Sequence, residues 1–239
     1  DKGLSADILR VANSAYYGRS GKIKTLKDAI TLLGLKLIKN IAIVQTKRAM
    51  HKNLGKDPVF KKVLIEKQIL TSLIAFDIST PLGLKNLRDQ VFTPANFLNA
   101  GMTIFALNRT EEYKKLLELH LAKKVEITEI ESKAYGLSSK DIGLYVFKIW
   151  NMPEPIIDVM KNHGFKLDQL ETVSDLDRLV RLGDILSRKM MELPVFEEEE
   201  EILKKIFEKY GAGEELLEAF GEDYFDMIQS HPFFEMLAF

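Results

Sequence analysis

The chain contains no cysteine, which excludes a disulfide framework and a thiolate zinc site. Histidine is scarce as well, with four residues in 239, at His51, His120, His163 and His231. None lies three or four residues from another, and neither HExxH nor HxH occurs, so no pair is spaced to present two imidazoles to one ion. GxxxxGK[ST], GxGxxG and GxSxG are missing too, and with them the common nucleotide-hydrolase and acyl-transfer motifs. No uninterrupted apolar run reaches the ~18 to 20 residues of a membrane helix, and the N-terminus lacks the basic-then-apolar layout of a secretion signal. Strand-like alternation is nearly absent, and no repeat of solenoid length recurs. A soluble cytoplasmic protein made of helices, with no contact to a membrane, is the expectation.

What is present fits an ordinary globular chain: 46 % hydrophobic residues alongside 29 % charged ones, in a length that can bury a sizeable core. The net charge of -1 hides two poles. Residues 1–70 hold 15 Lys or Arg against 5 Asp or Glu, and residues 190–239 hold 3 against 14. The simpler reading has the poles steady each other within the fold or lie solvated on its surface. The sharper one makes Lys22, Lys24, Lys27, Lys36, Lys39, Lys47 and Arg48 a landing surface for an acidic protein, a nucleotide or RNA. Aromatic residues are not interleaved with these cations as a base-stacking platform requires, which disfavours nucleic acid.

The densest run of interpretable residues is Leu4 to Leu35. Leu4, Ile8, Val11, Ala12 and Ala15 share one side of a helix, and Gly18, Ser20 and Gly21 end it in a turn. Thr25 is placed to cap the next helix with Asp28 in its first turn. Leu26, Ala29, Ile30, Leu33, Leu37, Ile41 and Val44 carry that helix to about His51. The string LSADILRVANSAYYG, the Thr25-Leu26 opening and AITLLG resemble the first recognisable segment of the HDOD domain, a regulatory offshoot of the histidine-aspartate phosphohydrolase superfamily. Arg10, Asn13, Ser14 and Tyr17 are the motif residues, and with Lys36 and Lys39 they are the candidate interaction residues. Asn13 and Ser14 are expected to satisfy backbone groups around the helix end and the Gly-rich turn.

Further along, Asp57-Pro58 opens a deep helix over Phe60 to Ile78, and Pro94 opens another over ANFLNAGMTIFALNR. Thr128 and Glu131 have capping-box spacing, with Gly136 as the stop. Ser138 or Ser139 caps the helix whose apolar positions are Ile142, Val146, Phe147, Ile149 and Trp150. The span Glu131 to His163 resembles the second conserved half of HDOD domains, and DLDRLVRLGDILSRKMM resembles their closing helix. The expected architecture is an all-α, multi-helix HD-like bundle over residues 1–190, with an acidic helical extension, 191–239, packed on it. In that extension Glu197 to Glu201 suits the first turn of a helix, and Phe225, Phe233, Phe234 and Phe239 are candidate core or lid residues.

The resemblance implies, for the parent superfamily, phosphate-ester hydrolysis with divalent metal held by histidines and a neighbouring His-Asp pair. Where the family carries its Ala-Gly-x-x-His-Asp-like motif, this chain has Ile104 and Phe105, and hydrocarbon binds no metal. Ser139 stands where relatives commonly carry histidine, and His163 survives alone with Gly164 after it. The ancestral cavity is therefore expected to be plugged with hydrocarbon, with His163 a hydrogen-bonded structural residue. No cofactor, metal or catalytic residue is expected. The leading reading is a non-catalytic signal-output domain that binds a protein partner of a bacterial signalling pathway. Its alternatives are a residual metal-dependent phosphohydrolase centred on His163, and a sensor holding a nucleotide or other anion on the basic pole.

Overall fold

The computed structural model describes residues 2–17 and 22–236, and among them there are helices and no strands. The expected turn at Gly18, Ser20 and Gly21, and the candidate core residue Phe239, lie outside the described residues. Helix α1 (Lys2–Ala12) and a 3-10 turn (Ala15–Tyr17) lead to α2 (Leu26–His51). Thr25 caps α2 as its chemistry demands: its hydroxyl accepts from the Asp28 N–H at 3.1 Å and donates to the Asp28 carboxylate at 2.6 Å. The helix is not continuous, because Gly34 adopts φ 75° and ψ 157° and kinks it. Its stretch Leu26–Ala49 is long and apolar enough to cross a membrane by length and composition alone, and only 22 % of its most apolar part is buried within the fold. A search for uninterrupted apolar runs misses it, since isolated lysines break the run without outweighing its hydrophobicity.

Asp57 caps α3 (residues 58–78) with a carboxylate that accepts from the Val59 and Phe60 N–H groups, and Pro58 takes the first position. Within α3 the segment Lys61–Glu66 widens into a π-helix before Lys67–Ile78 resumes the α form. The next helix, α4 (Arg88–Phe97), starts six residues before Pro94, which lies inside it. The chain then breaks at Leu98-Asn99 and starts α5 (Ala100–Asn108), so the single helix expected from Pro94 onward is two. Helices α6 (Thr110–Lys123), α7 (Ile127–Tyr135), α8 (Ser139–Ile149) and α9 (Glu154–Asn162) follow.

Two caps differ from expectation. Glu126, not Thr128, takes the N-cap position of α7, and Glu131 is buried with its oxygens accepting from the Tyr113 hydroxyl at 2.5 Å and the Ser139 N–H at 2.7 Å. Ser138 caps α8 in a reciprocal box with Asp141. On α8 Phe147 is buried, but Ile149 and Trp150 are more than half exposed, because the helix end turns away from the body before Pro153.

The centre of the fold is the pairing of α3 with α10 (Asp175–Met190), against which α4 also packs. Leu70, Ile74 and Ile78 of α3 and Leu179, Leu182 and Ile185 of α10 are buried in one shared core, each side chain contributing about 2 kcal/mol by leaving water. The helices cross closely at Gly183, where a Cβ would lie 2.5 Å from the Thr71 carbonyl and 3.0 Å from the Ala75 methyl. Helices α11 (Glu197–Lys209), α12 (Glu214–Ala219), α13 (Glu222–Gln229) and α14 (Pro232–Met236) complete the described chain.

Among the described residues no ion pair joins residues 2–70 to residues 190–236. The carboxylates of Glu198, Glu199 and Glu200 pair instead with Lys166, Arg181, Arg188 and Lys189. The two ends do meet, but through rings: α14 contacts α1 and α2, and His231 packs edge-on against Tyr16 at 4.4 Å. Phe233 is fully buried there against Phe92, while Phe225 and Phe234 are half-buried.

A second close approach holds α5 to α8. A Cβ on Gly101 would fall 1.8 Å from the Ser139 carbonyl oxygen, whereas one on Gly143 would meet the Met160 side chain at 3.3 Å and the Gly101 nitrogen at an ordinary contact distance of 3.6 Å. Gly101→Ala should therefore lose about 2 kcal/mol or more in urea unfolding, although the same change at an open helical site gains about 1 kcal/mol. Gly143→Ala should be near neutral, since the thioether of Met160 can yield. Equal stability of the Gly101→Ala and parent proteins would disprove the contact.

Candidate functional site

The surviving His163, at the C-cap of α9, opens into a cavity of about 500 Å³ between α3, α5–α6, α9, α10 and α11. Ser139 lines it as well, whereas Ile104 and Phe105 do not. Phe105 is buried elsewhere, stacked on Tyr113 with centroids 5.3 Å apart and tilted against Tyr135 at 4.8 Å. Ile104 is half-buried. The expected hydrocarbon plug is therefore absent from this cavity. Leu98, Met102, Met160, Leu193 and Phe196 form part of its wall, but its floor is charged.

That floor comes from three helices. On α10, Arg181, Asp184 and Arg188 recur at three and four residues and so form one stripe. On α3, Lys67 is the first residue after the π segment. On α11, the five-carboxylate run begins the helix, where its negative charge faces the positive end of the dipole, and Glu199 turns inward. The Lys67 ammonium donates to Asp184 Oδ1 at 2.5 Å, and Arg188 Nε donates to Asp184 Oδ2 at 3.2 Å. Glu199 takes a fork from Arg188, Nη2 to Oε1 at 2.5 Å and Nη1 to Oε2 at 2.8 Å, while Arg181 Nη2 lies 2.9 Å from Oε1. Phe196 N–H closes the box on Oε2 at 3.0 Å.

Burial alone raises the Asp184 carboxyl, but Lys67 and then Arg188 outweigh it and hold the group well below the usual carboxylate range. Desolvation lowers Lys67 despite Asp184. Desolvation also pushes His163 down to about 3, with Arg181, Lys67 and Arg188 adding to it and Asp184 opposing, so the imidazole is neutral at ordinary pH. Its Nδ1 is buried without a hydrogen-bond partner and its Nε2 is 3.9 Å from Asp184 Oδ2, too far for a bond. Its carbonyl, in contrast, accepts from Lys140 Nζ at 2.8 Å. The ring is therefore not the hydrogen-bonded structural group that its solitude suggests.

A divalent ion needs several histidine or carboxylate ligands converging on one point. Among the described residues no three His, Asp or Glu side chains converge in this way. Both oxygens of Asp184 already accept from built-in cations. The residues present do not fit the metal of the parent superfamily.

The motif residues of the first segment lie elsewhere. Asn13 clamps across the turn: Nδ2 donates to the carbonyls of Leu9 at 3.0 Å and Ile23 at 2.8 Å, and Oδ1 accepts from Ile23 N–H at 2.9 Å. Ser14 Oγ donates to the Val11 carbonyl at 2.8 Å, and Arg10 pairs with Asp7 at 3.2 Å. Tyr17 and Lys36 line a second cavity of about 570 Å³ with Leu33, Phe76, Arg88 and Phe233, and Lys36 pairs there with Asp89. Lys39 is exposed and not among its lining residues.

The family model of the HDOD domain matches residues 1–164. The chain belongs to the HDOD family. Among solved structures similar to it are an HDOD domain protein of Geobacter sulfurreducens (TM-score 0.71, 20 % identity, 99 % of this chain and 82 % of that one) and a candidate phosphohydrolase of Shewanella amazonensis SB2B (0.67, 18 %, 100 % and 84 %). A third is a candidate signal-transduction protein of Marinobacter aquaeolei VT8 (0.68, 20 %, 99 % and 52 %). At these identities the likeness establishes the all-α HDOD fold. An uncharacterised protein of Treponema pallidum (strain Nichols) is 22 % identical over 164 residues, 68 % of this chain, which spans 31 % of that protein's length. The HDOD match ends at residue 164, so Arg181, Asp184, Arg188 and Glu199 lie beyond it while Lys67 and His163 lie within.

Two outcomes test this site. Lys67→Met leaves Asp184 with one close partner and should cost about 3 kcal/mol in urea unfolding, with part of the loss recovered in Lys67→Met/Asp184→Asn. An unchanged midpoint would show that the pair does not form. The second concerns acid. His51 is lowered to about 4 and His163 and His231 to about 3, each chiefly by desolvation, and His120 is lowered for the same reason. Unfolded histidines charge near pH 6.5 and these do not, so unfolding takes up protons below that pH. Stability present above about pH 6.5 should be lost progressively toward pH 4, and His231→Phe should flatten the slope of Tm against pH; identical slopes would refute the burial of that ring.

Proposed function

We propose that this HDOD chain is a non-catalytic output module of a bacterial signalling pathway, acting in the cytoplasm through contact with another protein. One observation carries the reading: the carboxylate best placed to hold a catalytic cation, Asp184, is occupied by the Lys67 ammonium and Arg188 guanidinium. The protein thereby carries fixed positive charge at the centre of its cavity, where hydrolysis in the parent superfamily needs an exchangeable ion with an open position for water. The HDOD match and the likeness to a candidate signal-transduction protein support a signalling role. Binding through the outer surface is supported by α2, whose apolar stretch Leu26–Ala49 is mostly uncovered and presents Leu35 at 75 % exposure.

The competing reading, a residual phosphohydrolase using His163 and scattered carboxylates, draws on the likeness to the candidate phosphohydrolase of Shewanella amazonensis SB2B. It requires Lys67 to leave Asp184. The deciding experiment is metal analysis of protein purified without chelator, together with a phosphoesterase screen on nucleotides and cyclic dinucleotides with added manganese. The expected result is sub-stoichiometric metal and no turnover. Stoichiometric metal with turnover that His163→Ala abolishes would replace this reading with the other.

A further inference from the structure

The cavity floor has more hydrogen-bond donors than its own carboxylates can use. All four oxygens of Asp184 and Glu199 already accept from Lys67, Arg188 or the Phe196 N–H. Arg181 nevertheless keeps a buried Nε with no partner, on a side chain only 8 % exposed, and its Nη1 stands 3.8 Å from Asp184. Lys67 has one hydrogen bond for three N–H groups. His163, half-buried in the same wall, leaves Nδ1 unpartnered. On the floor three cations, Lys67, Arg181 and Arg188, stand against the carboxylates of Asp184 and Glu199, while over the whole lining five cations meet five carboxylates. A buried donor left unpaired is destabilising, so an occupant that supplies acceptors is favoured over an apolar one or a cation.

We propose that this cavity binds a small organic phosphate, its phosphate group seated on Arg181, Lys67 and His163 and its body against Leu98, Met102, Met160 and Phe196. A phosphate group fits better than a carboxylate because its three terminal oxygens match donors on three side chains. The volume of about 500 Å³ falls in the range of small-molecule pockets and accommodates a body of mononucleotide size. The rim is mixed. Lys140 and Lys166 flank the entrance with Glu126, Glu129 and Glu198, and Lys166 is already bonded to Glu198 at 2.9 Å. The floor, not the rim, therefore sets the sign of the ligand. This site is separate from the basic residues of the first segment: neither Lys36 nor Lys39 lines it.

The test is calorimetry and thermal unfolding of the full chain in phosphate-free buffer at constant ionic strength. Inorganic phosphate and adenosine 5′-monophosphate are the probes, with citrate as the carboxylate arm. Saturable 1:1 binding of a phosphate probe tighter than about 1 mM, with a rise in Tm, is expected. Arg181→Gln should weaken it about tenfold or more while Arg188 keeps Glu199 paired, and Lys36→Glu/Lys39→Glu should leave it unchanged. No saturable binding of either phosphate probe, tighter binding of citrate, or equal binding by Arg181→Gln would overturn the proposal. Should Arg181→Gln fail to fold, amide exchange on the unaltered protein decides. Phosphate-dependent protection of residues 67–78 and 175–190 supports the site, and unchanged exchange overturns it. Because binding is read without turnover, its failure leaves the non-catalytic reading intact, and turnover would sink that reading alone.

Discussion

A lysine ammonium held on an aspartate between two central helices is the constraint that the rest of the structure answers to. Lys67 and Asp184 are 117 residues apart, both nearly excluded from water, and neither charge is tolerable there without the other. Their pairing fixes the register of α3 against α10, which the close approach at Gly183 and the Thr71–Ser187 hydroxyl contact of 2.8 Å also specify. The surrounding charges follow from it. Arg188 shares Asp184 and reaches across to Glu199, and Glu199 draws the acidic start of α11 onto the body. The run of five glutamates is thus anchored at Glu199 by two arginines of the preceding helix. A buried network of this kind is weak evidence for stability, since hydrophobic residues of the same shape would pack as well, and better evidence for a retained polar purpose.

Local chemistry made much of the fold legible. Thr25, the Asp57-Pro58 pair, Gly136 and Ser138 mark helix boundaries through interactions spanning three or four residues, and each acts where its side chain predicts. Asn13 and Ser14 likewise bind backbone near the end of α1. The failures have a common cause in tertiary context. Pro94 is tolerated inside α4, Glu131 is taken from a capping role by the buried Tyr113, and Trp150 sits outside because α8 leaves the body. For Glu131 the overriding partner, Tyr113, is 18 residues away in sequence.

The cavity was less legible than the fold, and for a different reason. The family's motif positions fall on Ile104 and Phe105; Phe105 belongs to an aromatic cluster with Tyr113 and Tyr135, and Ile104 is half-buried. The charges that make the floor stand outside those positions. A signal for them was present: Arg181, Asp184 and Arg188 fall on one stripe of a helix whose neighbouring residues are apolar, and Lys67, with Glu66 and Gln68, separates two apolar stretches of a deeply buried helix. Charged residues at core spacing indicate either a solvated face or a buried network. Only the pairing of segments decides between them.

The docking of α14 onto the first two helices bears on how the protein is made. Phe233 fills a buried position against Phe92, and His231 covers Tyr16, so the first helices of the chain are completed by residues synthesised some two hundred positions later. During translation α1 and α2 must emerge with that seam open and wait for its closing piece. A nascent chain stalled before that closing piece would display Tyr16 and Tyr17, which the finished protein packs against His231, and exposed rings are the sort of surface a chaperone recognises.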